Sequence, residues 1–171
     1  MPVIALRGLT MLPEMTISFD ISRKKSIAAV EKAMVGDQRV CLVAQKDPEI
    51  MDPSLDQLYH IGTVSYIKQL VKMPGGIVRV MAEGQERAEL LDLDSTEPSL
   101  MGEVLFTQEQ EADVDGAAAE AMSRILKEKL ESYGHQHPKF AKEILPGMMV
   151  CEDLESLMLK MASDLPWDYR I

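Results

Sequence analysis

Hydrophobic residues repeat at two different spacings along the chain, and the change falls near residue 110. Over the first part, apolar and polar residues alternate, which is the pattern of half-buried β-strands. Residues 16–21 are the clearest case, because Ile17, Phe19 and Ile21 would share one face while the residues between them are polar. Alternation and short apolar runs together predict strands over residues 3–7, 16–21, 39–44, 61–73, 77–83, 87–93 and 101–108.

One helix is predicted among these strands. The apolar residues Ile27, Val30 and Met34 recur at helical spacing between the second and third strands. Ser22 is available as an N-cap, since a serine hydroxyl can accept a hydrogen bond from a free amide of the first turn. Gly36 is expected to end the helix.

Several positions indicate that the strands bend. The alternation of residues 61–73 changes phase near Tyr66-Ile67, which is typical of a β-bulge, and Gly84 is a second bulge candidate. Pro74-Gly75-Gly76 predicts a hairpin turn between two strands. Bent strands with glycine interruptions suit a closed or half-closed barrel better than a flat sheet.

After residue 110 the apolar spacing is helical. It predicts helices over residues 116–133, from Pro138 onward, and over residues 152–163. Gly134 is expected to end the first helix and Pro146-Gly147 the second. The predicted class is therefore α+β, with six or seven bent strands and one helix in residues 1–110 and a small helical subdomain in residues 111–171.

Composition and charge restrict the kinds of partner. With 46% hydrophobic and 27% charged residues, the chain is expected to be globular rather than disordered. A formal net charge of −10 argues against binding to nucleic acid or to an anionic membrane. No run of 18 apolar residues is present, and the first residues lack the pattern of a secretory signal. Cys41 and Cys151 are interpreted as small buried hydrophobic residues in a reducing compartment.

Motifs for catalysis are absent from the sequence. It contains no G-x-x-x-x-G-K-[ST], no G-x-G-x-x-G and no G-x-S-x-G. His135 and His137 have no cysteine near them in sequence and are interpreted as part of a solvated turn, and His60 as structural. We therefore predict no catalytic residue, no metal site and no cofactor. A small enzyme that uses a carboxylate or histidine stays open as an alternative, supported only by the abundance of such residues.

Methionine is unusually frequent, with 13 residues. Its side chain is flexible, so it fills irregular cores and also forms adaptable binding surfaces. Four methionines lie on helical stripes and are predicted to be core residues: Met34, Met122, Met158 and Met161. Three others, Met11, Met15 and Met73, flank loops beside Pro13 and Pro74 and are predicted to be exposed enough to touch a partner.

Short motifs over residues 2–90 resemble the Lon protease N-terminal domain family. They keep that family's order and spacing, and the similarity is tightest around the Pro74-Gly75-Gly76 turn. The motifs are Pro2-Val3-Ile4-Ala5-Leu6-Arg7-Gly8, Leu12-Pro13-Glu14-Met15, Arg23-Lys24-Lys25-Ser26-Ile27-Ala28-Ala29-Val30, Val43-Ala44-Gln45-Lys46-Asp47-Pro48, Leu58-Tyr59-His60-Ile61-Gly62-Thr63-Val64, Met73-Pro74-Gly75-Gly76, Val78-Arg79-Val80 and Glu83-Gly84-Gln85-Glu86-Arg87-Ala88.

The resemblance implies a PUA-like β pseudo-barrel followed by a helical subdomain. In that family this unit precedes an AAA+ ATPase module and a Ser–Lys peptidase domain in a cytoplasmic homohexamer. It engages unfolded or damaged proteins and contributes to assembly. ATP and magnesium would belong to the AAA+ module, and the motifs of both catalytic modules are absent here. The chain is thus expected to be a noncatalytic fragment of a bacterial ATP-dependent serine protease; the alternative is a freestanding Lon-like binding module.

A surface that binds unfolded segments should be apolar and adaptable, because such segments expose residues that folded proteins bury. Two loops could supply it, with Val71 beside the second. The candidate residues are Leu9, Met11, Leu12, Pro13, Met15, Met73 and Pro74. In the alternative interpretation, Leu9 and Leu12 plug the end of the barrel and touch no ligand.

Self-association through the helical part is a further expectation. Its last apolar stripe would lack partners in a truncated helical part unless it folds back on the chain or dimerises, and exposed stripes of this kind tend to pair between molecules. We therefore predict concentration-dependent association, with a dimer as the simplest product. The stripe consists of Leu154, Leu157, Met158 and Met161.

Overall fold

A computed structural model describes residues 1–94, 98–107 and 116–165. Its internal contacts divide the chain into two compact units, Met1–Gln108 and Glu109–Ile171. The boundary predicted from the sequence, between residues 110 and 111, lies outside the described residues.

The first unit is a curled sheet with one α-helix, which confirms the α+β half-barrel predicted from the sequence. Its elements are β1 (Val3–Leu6), β2 (Thr16–Ile21), α1 (Lys24–Val35), β3 (Arg39–Ala44), β4 (Ile61–Lys72), β5 (Val78–Asp94) and β6 (Met101–Phe106), with single-turn helices at Leu55–Gln57 and Pro74–Gly76.

The strand order explains the barrel shape. β1 runs parallel to β3, and antiparallel pairs join β3 to β4, β4 to β5 and β5 to β6. A bridge between Pro2 and Met101 brings β6 back beside β1, so these five strands form a ring. β2 is not part of this ring, and within the described residues its strand partner is the first part of β5, residues 78–83. This part of β5 also pairs with the end of β4, and β4 and β5 form a hairpin.

β5 is one long strand where the sequence predicted two. The pairing with β4 jumps from Val64 opposite Glu86 to Ser65 opposite Gly84, so Gln85 is the extra residue of a β-bulge. A second register shift lies between Ile67 and Gln69 of β4. Both predicted bends are confirmed, but the bulge bends β5 without interrupting its pairing.

β1 is buried on both faces, and its alternation divides the core in two. Ile4 and Leu6 join a cluster with α1, β3, β4 and the first half of β5, called here the upper core. Val3 and Ala5 join a second cluster around Cys41. Burial raises the pKa of the Cys41 thiol to about 11. The thiol is therefore protonated and behaves as a small apolar group, as predicted; Cys151 is half-buried and also free.

Helix α1 begins one residue later than a Ser22 cap requires, so that prediction is wrong. Arg23 is the N-cap residue and its side chain does not cap the helix. Its guanidinium instead donates to the Ala5 carbonyl and to Gln45 Oε1, at 2.8 Å in the second case. The predicted end at Gly36 is confirmed.

The described part of the second unit, residues 116–165, contains four helices, which are α2 (Gly116–Gln136), α3 (Pro138–Glu143), α4 (Leu145–Met149) and α5 (Leu154–Asp164). The expected stop at Gly134 is wrong, because α2 continues through it. A Cβ at this position would lie 3.1 Å from Leu145 Cδ2 and 3.3 Å from Ala141 Cβ, so the glycine permits close helix packing. Pro146 does not end helical structure either. It is the second residue of α4, where its missing amide hydrogen costs no hydrogen bond.

Methionine burial confirms the prediction only in part. Met34, Met122 and Met158, predicted to lie in the core, are 39%, 50% and 56% exposed, and Met11, predicted to be exposed, is buried. Met161 packs against a core cluster and Met73 is exposed, as predicted. Small residues explain the difference on α1 and α2, where the buried face includes Ala29 and Ala33 of α1 and Ser123 of α2. Small side chains bring the helices close to their neighbours, so only the centre of each apolar stripe is covered.

The stripe on α5 is partly buried. Leu157 is fully buried with Leu130, Phe140 and Met148, and Met161 packs against this cluster. Leu157 thus finds its partners within the chain, which is the fold-back alternative that the sequence left open. Within residues 116–165, Met158 is the residue of that stripe that stays exposed. Self-association through this unit stays a prediction.

Candidate functional site

The outer side of the β4–β5 hairpin presents an apolar surface. The inward residues of β5, including Val78 and Val80, belong to the upper core. The residues between them point outward, so Val71 of β4 lies opposite Arg79 and Gln69 lies opposite Met81.

The outward row of this hairpin continues to its tip. The Met73 amide donates to the Ile77 carbonyl over 2.8 Å, which places these two residues opposite each other. Both are two positions from an outward residue and so share its face. We call the four apolar side chains of this surface the hairpin face: Val71, Met73, Ile77 and Met81. Each is between 36% and 41% exposed.

The Pro74-Gly75-Gly76 turn holds the hairpin face in place. Gly75 and Gly76 have φ of 81° and 76°, in the left-handed region that a residue with a Cβ adopts at a cost. Pro74 is exposed and fixes φ at the start of the turn. The predicted hairpin is confirmed. Its exposed apolar residues Met73 and Ile77 stand on either side of the turn.

Charged residues beside the hairpin face are neutralised in pairs. Arg79 donates to both carboxylate oxygens of Asp20 on β2, over 2.7 Å and 2.8 Å. The hydrogen bond from Arg79 holds the pKa of Asp20 below its usual value, and Asp20 raises that of Arg79. Lys68 pairs with Glu83 in the same way. The charges next to Val71 and Met81 are therefore already paired. A neutral apolar side chain can contact these two residues without leaving a single charge unpaired beside it.

The loop of residues 7–15 is more deeply packed than predicted. Met11 is 3% exposed and belongs to the upper core, and Leu9 and Met15 are half-buried against that core. The prediction that Met11 is exposed is wrong, because its carbonyl accepts a hydrogen bond from Thr63 Oγ1 over 2.7 Å and fixes the residue above the sheet. For Leu9, this packing fits the alternative in which it plugs the barrel.

The bulge of β5 fixes the other end of this loop. Glu14 donates its amide to the Gly84 carbonyl over 3.0 Å, and the Gly84 amide donates to the Met15 carbonyl over 2.8 Å. A Cβ at Gly84 would collide with the Leu12 carbonyl oxygen. Leu12 and Pro13 are half-buried at this place. The loop is thus anchored at Met11, Glu14 and Met15, and its role as a client-binding surface stays a prediction.

The two predicted loops do not form one surface. The first is anchored at Gly84 and the second ends at Ile77, seven residues away along β5, which is about 23 Å at 3.3 Å per residue. Of the predicted residues, Met73 and Pro74 lie at the hairpin tip, whereas Met11, Leu12 and Met15 lie next to Gly84 at the bulge. Leu9 and Pro13 belong to the same loop. The sequence reasoning missed Ile77 and Met81. Apolar residues at alternate outward positions of residues 77–83 were the signal for them.

The described residues show no cluster of metal-ligating side chains, and one histidine takes part in a ring stack. Residues 1–94, 98–107 and 116–165 contain no group of three or more side chains that could hold a metal ion. His137 is exposed and stacks on Tyr133 with 4.0 Å between ring centroids. In the same ranges, no helix is long and apolar enough to cross a membrane.

Solved structures show which class of fold this is. The N-terminal domain of the Mycobacterium avium complex Lon protease superposes with a TM-score of 0.60 and 17% identity, covering 96% of this chain and 98% of that one. A Lon N-terminal domain protein from Xanthomonas campestris gives a TM-score of 0.67 and 15% identity, covering 98% of this chain and 83% of that one. The fold is therefore that of Lon N-terminal domains.

Sequence comparison gives the family. Residues 1–171 match the model of the ATP-dependent protease La (LON) substrate-binding domain. The Lon protease of Lachnoclostridium phytofermentans is 37% identical over 166 residues, and that of Desulforamulus reducens is 39% identical over 150 residues. The chain belongs to the LON substrate-binding domain family, as the motifs of residues 2–90 indicated. The two matches include 97% and 88% of this chain. They include only 20% and 18% of the length of the two relatives.

Proposed function

We propose that the chain is the noncatalytic, substrate-recognising part of an ATP-dependent Lon serine protease, and that it binds unfolded or damaged proteins through the hairpin face. The observation that carries the proposal is the row of four apolar side chains at the end of the β4–β5 hairpin with no unpaired charge among them. Family membership supports the same function, since the family is described as substrate-binding.

The physical reason is that unfolded clients share exposed hydrophobic residues rather than a common shape. Two of the four residues of the hairpin face are methionines, whose flexible side chains adapt to different apolar partners. The anchored loop of residues 7–15 offers less mobility and contributes Leu12 and Pro13 at most as a secondary contact. Binding by a single unit should be weak, because an assembly with several copies gains affinity through multivalency.

The rest of the proposed protein follows from the relatives, which are Lon proteases about five times as long as this chain. Peptide-bond hydrolysis by a Ser–Lys pair, and the use of ATP and magnesium by an AAA+ module, would reside in those other modules. A cytoplasmic homohexamer is the proposed assembly, to which this unit contributes. A net charge of −10 supports proteins, rather than nucleic acid or an anionic membrane, as partners.

A freestanding Lon-like binding module is the second candidate. Sequencing the gene beyond the codon for Ile171 decides between the two. A G-x-x-x-x-G-K-[ST] motif in the same reading frame supports the protease, and a stop codon without one supports the freestanding module.

Substitution of the hairpin tip tests the binding surface. The double variant Met73→Ser with Ile77→Thr should bind an unfolded protein, such as reduced and carboxymethylated α-lactalbumin, at least about tenfold more weakly. This corresponds to about 1.4 kcal/mol, less than the burial of two such side chains can contribute. Affinity is measured by titration, and amide chemical shifts in NMR spectra map the contact.

Leu105→Thr serves as the matched control. Leu105 is 56% exposed and lies opposite Glu89 on β6, away from the hairpin tip. It should leave the affinity within about twofold of the original. Equal weakening by both variants, or shifts confined to β6, would refute the assignment of the hairpin face.

A further inference from the structure

One edge of β2 has no partner in the described part of the first unit. β2 pairs through residues 16–21 with residues 78–83 of β5, and the sheet ends there. Among residues 1–94 and 98–107, no turn or loop forms a backbone hydrogen bond with Thr16–Ile21. The amides and carbonyls along this edge are therefore available to another strand.

This edge also lacks the features that usually protect an edge strand. Natural edges carry lysine, proline or inward-pointing charges that discourage pairing with another chain. β2 has the sequence TISFDI, without lysine or proline. Its single charged residue is Asp20, whose two carboxylate oxygens both accept hydrogen bonds from Arg79 on the neighbouring strand. The negative charge that could repel an incoming strand is therefore neutralised by a residue of the same sheet.

The inner side of β2 offers apolar contacts at every second position. Ile17 and Phe19 are half-buried and pack against the upper core, whereas Thr16 and Ser18 are exposed on the outer side. A strand added beside β2 would place its own alternate residues next to Ile17 and Phe19, because side chains of paired strands lie in register. Apolar residues at those positions would extend the upper core by one strand.

We propose that β2 accepts an extended client segment by β-strand addition, and that the segment alternates apolar residues with neutral or basic ones. This inference rests on the proposed function and adds the conformation and pattern of the substrate that is recognised. Main-chain hydrogen bonds supply affinity without a fixed sequence, and alternation supplies selectivity. A net charge of −10 disfavours acidic segments as clients.

The new strand would lie close to the hairpin face. β5 alone separates β2 from β4, and neighbouring strands are about 4.8 Å apart. The outer row of Ser18, Met81 and Gln69 crosses all three strands. One client segment could thus pair with β2 while a flanking part contacts Met81 and the hairpin tip.

A peptide pair tests the inference on the intact chain. The probe is a capped seven-residue peptide that alternates valine with threonine and lysine. Its control has the same residues with N-methyl groups on two adjacent central amides, which blocks hydrogen bonding at both edges of the peptide. The unmodified peptide should bind at least about tenfold more tightly. It should also slow hydrogen exchange of β2 amides that exchange freely without it.

Two matched lysine substitutions locate the site. Ser18→Lys places a positive charge beside the proposed strand, and Gln69→Lys places the same charge in the same row on β4. Both side chains are exposed, so neither change should disturb the fold. Ser18→Lys should weaken binding of the peptide at least about tenfold, and Gln69→Lys no more than about twofold.

The possible outcomes separate this inference from the proposed function. Equal binding of both peptides, with chemical shifts confined to the hairpin face, would overturn strand addition and leave the hairpin face as the site. Binding of neither peptide, together with no binding of unfolded protein, would overturn both. Protection of β2 without peptide, with a doubled mass in sedimentation, would show a second copy on this edge and overturn the client as its occupant.

Discussion

The loop of residues 7–15 and the turn of residues 73–77 have similar sequences and different environments. Each lies beside a strand and has a methionine shortly before a proline. Met11 is two positions before Pro13, and Met73 directly precedes Pro74. Met11 is buried, whereas Met73 is 37% exposed. The difference arises from the backbone, because the bulge at Gly84 and the Thr63 hydroxyl bind the first loop, while the hairpin turn satisfies its own hydrogen bond. Exposure of a loop methionine thus depends on where the main chain is anchored.

Replacement of Gly84 should have the largest effect, because it removes the anchor that distinguishes the loop of residues 7–15 from the turn of residues 73–77. In Gly84→Ala, the new Cβ collides with the Leu12 carbonyl, so either the loop or the bulge must move. We expect the free energy of unfolding to fall by about 3 kcal/mol, at the upper end of the range for overpacking. Urea denaturation measures it.

Gly116→Ala is the control for that experiment, since nothing lies within 4 Å of a Cβ at Gly116. Its effect should stay within about 0.5 kcal/mol. A Gly84→Ala protein as stable as this control would show that the loop is not anchored at the bulge.

Truncation of the two methionines should give the next largest effect. Met11→Ala removes a buried side chain from the upper core and should reduce the free energy of unfolding by about 2–3 kcal/mol. Met73→Ala removes a side chain from the surface and should change it by less than about 0.5 kcal/mol. The same urea experiment compares them, and similar losses for the two variants would contradict the distinction drawn here.

The pH dependence of the Asp20–Arg79 pair should give the smallest effect. The pKa of Asp20 is lower in the folded chain than in the unfolded chain, so the pair stabilises the fold above the unfolded pKa. This contribution is lost as the pH falls through the folded pKa. The stability difference between the original chain and Asp20→Asn should therefore be present at neutral pH and vanish in acid.

Glu103→Gln changes the formal charge equally and is the control for that pH series. Thermal unfolding at several pH values follows both variants. If the difference caused by Asp20→Asn persisted unchanged in acid, the ion pair would not be its source.

Local signals explain what the sequence predicts well. Alternation fixed the bounds of β2, and the glycines at the hairpin turn and at Gly84 marked where the backbone turns or bulges. These features depend on a few neighbouring residues. The family motifs in residues 2–90 then added a fold that the patterns alone left as a closed or half-closed barrel.

Tertiary packing explains what the sequence predicts poorly. Gly134 is a residue type that often ends helices. In α2 it instead lies inside the helix, at the point where Leu145 and Ala141 pack against it. The exposure of Met122 depends on how closely α2 approaches its neighbours, which no periodicity contains. The hairpin face was half predicted for a related reason: Met73 and Pro74 stand at a turn visible in sequence, whereas Ile77 and Met81 join them only through strand register.

The burial of β1 on both faces has a consequence for how the first unit melts. Its four residues form a wall shared by two hydrophobic clusters, with Ile4 and Leu6 on one side and Val3 and Ala5 on the other. Neither cluster can lose this wall without exposing the other to water, so the two are expected to come apart together. β1, although only four residues long, is therefore expected to couple the unfolding of the two hydrophobic clusters.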